Sequence, residues 1–176
     1  MSIRIAIPRE TQAGEDRVAM VPAVLGKLTA LGAEVFLETD AGAGCRIPDS
    51  AYEGVTIVDN AETLYKNADI VLRVQPPSKE ELAQMPSDCT MIGMLAPTTD
   101  PELTRAIAEH GLTSFSMELI PRISRAQAMD VLSSQASVAG YKAVLMGALR
   151  SGRFFPMLTT AAGTIRPARV PTKTNR

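Results

Sequence analysis

Short continuous apolar runs alternate along this chain with stretches in which apolar residues recur every three or four positions. Six runs read as strands, at residues 3–7, 34–38, 55–58, 70–74, 91–95 and 112–117. Runs without polar alternation suit strands covered on both faces of a parallel sheet. The intervening stretches carry helix ends. Pro22 opens a helix in which Val24, Leu25, Leu28 and Leu31 share a face, and Gly32 stops it. Ser78 and Glu81 have the spacing of a capping box. Asp100 and Pro101 start another helix, with Leu103 and Ile107 inward and Gly111 at its end. The order predicts an α/β fold, a doubly wound and mainly parallel sheet with helices on both faces.

The pattern changes after the sixth run. Met129, Leu132, Ala136, Ala139, Ala143 and Met146 recur at helical spacing, so one long connecting helix is predicted over residues 126–150. Ser133, Ser134, Ala136, Ser137, Ala139 and Gly140 make part of it narrow enough for close approach by another element. Residues 154–164 read as a loop and turn, and Arg166 to Val170 as the approach to a new strand. The polar residues 171–176 follow instead. The chain thus divides into an α/β domain at 1–125, the connecting helix at 126–150, and a boundary segment at 151–176 that is truncated or divergent.

Composition narrows the function classes. The 176 residues suffice for one domain with a real core. A net charge of -1 leaves no basic patch, which argues against nucleic acid as a partner. No apolar run has the length of a membrane span, and the amino terminus enters a strand pattern without a signal peptide. Cys45 and Cys89 lack metal-ligand spacing and read as reduced thiols. The single histidine, His110, suits the last turn of its helix better than acid–base chemistry.

Candidate chemistry gathers where strands meet helices, the place where open α/β sheets bind ligands. The first connection, Pro8 to Val18, lacks the glycine spacing of a dinucleotide fingerprint. Its Arg17 either clamps a carboxylate or phosphate or pairs with Glu10, Glu15 or Asp16. The glycines of Asp40-Ala41-Gly42-Ala43-Gly44 read as a flexible turn. Arg73 and Gln75 close the fourth strand and face either the cleft or solvent. The richest stretch is 121–135, with Arg122, Ser124, Arg125, Gln127, Asp130, Ser133, Ser134 and Gln135. Arginine and glutamine can hold an amide oxygen, and Asp130 accepts from an amide or hydroxyl, with Ser133 one helical turn beyond it. That set suits a flat, neutral, amide-bearing ligand. The alternative is structural, with Ser124 capping the helix and Asp130 paired to an arginine.

Several of these segments resemble one family. Ile5-Ala6-Ile7-Pro8-Arg9-Glu10, Glu15-Asp16-Arg17-Val18-Ala19 and Val21-Pro22 are similar to the amino terminus shared by alanine dehydrogenase and proton-translocating nicotinamide nucleotide transhydrogenase. Pro121 to Gln127, Met129-Asp130, Leu132-Ser133-Ser134, Ala139-Gly140-Tyr141 and Thr160 to Thr164 resemble the transhydrogenase alpha subunit. The likeness covers about residues 3–170. Two positions separate the branches: Gln75 stands where alanine dehydrogenases carry a substrate-binding lysine, and residues 91–97 lack their histidine.

The resemblance implies hydride transfer between NAD(H) and NADP(H), coupled to proton translocation. It implies that Arg122, Gln127, Asp130 and Ser133 contact the nicotinamide and adjacent ribose of NAD(H), with no catalytic acid or base. NADP(H) belongs to a partner. The implied partners are the beta subunit, the membrane domain and a second alpha subunit, which places the chain in the cytoplasm, peripheral to the inner membrane. The family's second, glycine-rich Rossmann domain is missing here, so the isolated chain is expected to bind NAD(H) weakly and to be inactive. The alternatives are a truncated alanine dehydrogenase and a non-catalytic module pairing with a separate nucleotide-binding chain.

Overall fold

Six strands, β1 (Arg4–Ile7), β2 (Glu34–Glu38), β3 (Thr56–Val58), β4 (Ile70–Leu72), β5 (Thr90–Gly93) and β6 (Thr113–Ser116), pair in parallel throughout. Their order is β3-β2-β1-β4-β5-β6 in the computed structural model, which describes residues 2–169. The chain winds one way from β1 to β3 and the other way from β4 to β6, so the winding direction switches between β1 and β4. Alternate side chains of each strand feed two cores. Ala6, Val71 and Met91 pack with Leu64, Tyr65, Leu82, Leu103 and Ile107 on one face. Ile5, Ile7, Val35 and Leu37 pack with Val18, Met20, Leu25 and Tyr52 on the other. The sheet is therefore doubly wound, as the apolar runs require.

Four helices cover these faces: α1 (Pro22–Thr29), α2 (Ala61–Tyr65), α3 (Lys79–Gln84) and α4 (Pro101–His110). The Ser78–Glu81 capping box forms in both directions, and Asp100 accepts from the Leu103 amide at 2.9 Å. Gly111 ends α4 in the left-handed region at φ 90°, which a Cβ disfavours. In α1 only Leu25 of the four expected inward residues is buried, and Leu31 is 83% exposed. The sequence reading passed over α2, which is a single turn or so, too short for periodicity to mark. Its signal is Asn60, whose side chain accepts from the Thr63 amide at 2.9 Å.

Two strands end earlier than their apolar runs. After Leu72, the amides of Val74 and Gln75 donate to the Glu10 carboxylate at 2.5 and 3.2 Å. After Gly93, the amides of Leu95 and Ala96 donate to Glu118. In both places a carboxylate takes over from the ladder. The expected long helix is also divided. Ser124–Met129 is a 3-10 segment, Asp130 leaves helical geometry with ψ 87°, and α5 (Val131–Arg150) begins after it. Ser124 therefore caps no helix by its side chain.

The chain forms two compact units, Met1–Asp130 and Val131–Arg176. The second contains α5 and an antiparallel hairpin, β7 (Leu158–Thr160) with β8 (Gly163–Ile165), where a loop and turn were expected. The short strands are threonine-rich, and Thr159 and Thr164 hydroxyls meet across them at 3.3 Å. The tail at 171–176 and the supposed strand entry at Val170 lie outside the described residues.

Candidate functional site

The crevice at the carboxyl ends of β1 and β4 is filled with charge. Arg73 is the buried centre, its side chain 1% exposed. Its Nε donates to the Gln75 carbonyl at 2.7 Å and its Nη2 to both Glu81 oxygens at 3.3 and 3.2 Å. The Glu10 carboxylate lies 3.8 Å away. Burial pushes the Glu10 carboxyl above its ordinary pKa, against the lowering effect of the Val74 amide and Arg73. Arg73 Nη1 and the Tyr65 hydroxyl are buried without a hydrogen-bond partner among the described residues.

A second layer lies beside it. Arg17 grips Glu15 with its fork, Nε to Oε1 at 2.7 Å and Nη2 to Oε2 at 2.6 Å. Gln75 Nε2 donates to the same Oε2 at 2.6 Å. Those bonds, Arg17 first, hold the Glu15 carboxyl down to about 2. The structural alternative for Arg17 is thus the one that forms. Gln75 and Arg73 face inward rather than solvent. The nearby glycines are not a flexible turn: a Cβ on Gly44 would meet the Asp16 carbonyl oxygen at 2.5 Å, so that glycine permits close backbone approach. His110 bonds the Met85 carbonyl at 2.8 Å, not the last carbonyls of its own helix.

The 121–130 corner is built differently. It leaves β6 through a 3-10 turn, Met117–Leu119, and runs over one wall of an apolar groove of about 1030 Å³. Leu95, Ile107, Phe115, Ile123, Ala126 and Met129 line that groove. Ala126 is the corner's buried anchor at 5% exposure. Arg122 and Gln127 are exposed and Asp130 is half-buried, all within the first unit. Ser133 belongs to the second unit, in the first turn of α5. Asp130, Ser133, Ser134 and Gln135 all have interaction partners. The expected helical register between Asp130 and Ser133 does not exist, because Asp130 precedes the helix. Sequence reasoning missed Glu81 as a buried ligand of Arg73 and missed Glu118 entirely. Glu81 was visible only as a capping residue, and nothing in spacing marks Glu118.

The geometry can be set against known proteins. The profile described as "Alanine dehydrogenase/PNT, N-terminal domain" matches residues 6–139. The chain belongs to that family. It is 45% identical over 175 residues to a chain of NAD(P) transhydrogenase subunit alpha from Rhodospirillum rubrum, across 96% of this chain and 46% of the relative. Alanine dehydrogenase of Bacillus subtilis is more distant, 30% identical over 146 residues, across 82% of this chain and 38% of that protein. Among solved structures, transhydrogenase from Sinorhizobium meliloti superposes with a TM-score of 0.90 at 44% identity, covering 94% of this chain and 50% of that one. The chain spans about half the length of the Rhodospirillum rubrum relative it matches. Among the described residues, no helix is long and apolar enough to cross a membrane.

Proposed function

We propose that this chain supplies the nicotinamide-side wall of the NAD(H) site in a proton-translocating NAD(P)+ transhydrogenase alpha subunit. The reading rests on the 121–130 corner, where exposed Arg122 and Gln127 and half-buried Asp130 stand on a buried anchor. Its donor set fits a carboxamide ring. Gln127 can donate and accept at once, Asp130 accepts from the amide nitrogen, and Arg122 donates to an oxygen. Ser133 follows as a hydroxyl for the ribose.

Bound NAD(H) supplies the hydride. The chain's residues bind and orient its ring, and none of the four acts as an acid or base, so the contribution is positioning. NADP(H) sits on a partner, the beta subunit, which together with a membrane domain couples transfer to proton movement. The alpha subunit works as a homodimer, in the cytoplasm at the face of the inner membrane. Alanine dehydrogenase activity is the weaker reading. Gln75 offers no cation, and its amide is already held by Glu15.

The experiment is hydride transfer from NADH to an NADP analogue by the complete enzyme. Replacing Gln127 and Asp130 together with alanine lowers the rate about 100-fold, the scale of a misoriented reactant. An unchanged rate sinks the reading. By titration calorimetry, the 176-residue chain alone binds NADH weakly; tight stoichiometric binding would contradict this one-wall description.

A further inference from the structure

Glu118 is the carboxylate to which the ends of two neighbouring strands are tied. Its Oε1 accepts the Ala96 amide at 2.6 Å and the Leu95 amide at 3.0 Å. Its Oε2 accepts the Ser116 hydroxyl at 2.6 Å and a longer bond from Leu95 at 3.3 Å. Ser116 is the last residue of β6 and pairs in register with Gly93, the last of β5. One side chain thus spans the carboxyl ends of two adjacent parallel strands.

The backbone it holds is unusual. Ala96 is a non-glycine residue at φ 53°, in the left-handed region that a Cβ disfavours. Such a residue persists only where its surroundings fix it. Its amide is fixed by Glu118, and its carbonyl accepts the Thr99 and Asp100 amides at 2.9 and 2.8 Å. Asp100 in turn caps α4. Glu118 therefore joins the α4 entry turn to the strand end from which the 121–130 corner departs. The corner's anchor lies against the same turn: Leu95, Pro97 and Ala126 line one groove. Between Glu118 and Arg122 stand only Leu119, Ile120 and Pro121, the last with a fixed φ, so little slack separates the tie from the corner.

We propose that Glu118 is a positioning residue for the nicotinamide wall, fixing the take-off of the corner that carries Arg122, Gln127 and Asp130. This rests on the reading of that corner given above. The role needs an acceptor for three donors, and a carboxylate meets it with charge-assisted bonds. Glutamine can keep the amide bonds through its carbonyl, while the Ser116 hydroxyl turns to accept from its NH2.

The test uses the complete enzyme and two ligands, NADH and ADP-ribose, which lacks the nicotinamide. Glu118→Ala is expected to weaken NADH about 10-fold, within the range for a misplaced contact, while ADP-ribose changes by less than about 2-fold. Glu118→Gln restores most of the loss. Should Glu118→Ala fail to fold, Ser116→Ala gives the same selective loss at about 3-fold, because it removes one of the bonds that hold the carboxylate. Equal weakening of both ligands, or of neither, overturns the proposal. Gln127→Ala run in parallel separates the two ideas. If it slows hydride transfer and Glu118→Ala does not, the positioning role fails alone; if neither does, the reading of the corner fails with it.

Discussion

Two polar regions of the first unit use the same residue types to opposite ends. In the crevice, Arg73, Arg17 and Gln75 are answered by Glu10, Glu15 and Glu81 from within the chain. In the corner, Arg122 and Gln127 project from a 3-10 segment whose one buried side chain is Ala126. The crevice lies at the switch point, the usual address for a ligand, yet its charges are already matched. The corner lies off that point, and its hydrogen-bonding groups face outward. A matched network holds two halves of a sheet together only while every partner is present. Location in the fold therefore says less about binding than the state of each side chain's bonds.

Removing the crevice's centre puts this contrast under the greatest strain. Arg73→Ala leaves Glu10 and Glu81 without their guanidinium in a buried place. Losing one partner of a buried pair costs about 3–5 kcal/mol. The expected result is a large fall in the urea midpoint of the first unit. A change under about 1 kcal/mol would show that solvent reaches the carboxylates and that the crevice is open after all.

How far the sequence foretold all this depends on the kind of signal. The sheet was legible because its strands are buried on both faces, so their apolar runs stand out; the run at 34–38 coincides with β2. Strand ends were less legible. Glu10 and Glu118 lie 64 and 22 positions from the amides of Val74 and Ala96 that they receive, and no local pattern announces such pairs. The break at Asp130 was hidden because 3-10 and α segments share nearly the same apolar spacing. At the candidate site, residue types at 121–135 pointed to polar recognition. They could not tell Arg17, already bound by Glu15, from Arg122, since both are arginines in connections.

A smaller effect separates the carboxylates of the crevice by the sign of their pH dependence. Glu15 is held down to about 2 from an ordinary 4.5, so the folded state binds fewer protons than the unfolded one between those values. Its contribution is complete above about 4.5 and is lost as pH falls through that window. Glu10 is shifted the other way by burial, so protonation of Glu10 favours the fold as pH falls through the range just above 4.5. Urea midpoints measured across the acid range test both. Glu15→Gln flattens the loss at the acid end, and Glu10→Gln removes the opposite slope above it. Parallel slopes for the two variants would mean that Glu10 is solvated like an ordinary surface acid.

The smallest stability effect belongs to the corner, and it draws the clearest line between the two regions. Arg122→Ala removes an exposed side chain, and such substitutions change stability by less than about 0.5 kcal/mol. In the complete enzyme the same change is expected to weaken NADH about 10-fold, the loss of a charge-assisted contact to the ligand. Stability and affinity are then read on one variant, by a urea melt and a fluorescence titration. If Arg122→Ala destabilised the fold as Arg73→Ala does, the corner would be another internally matched network. If it altered neither quantity, Arg122 would be surface arginine without a ligand, and Gln127 with Asp130 would have to hold the ring alone.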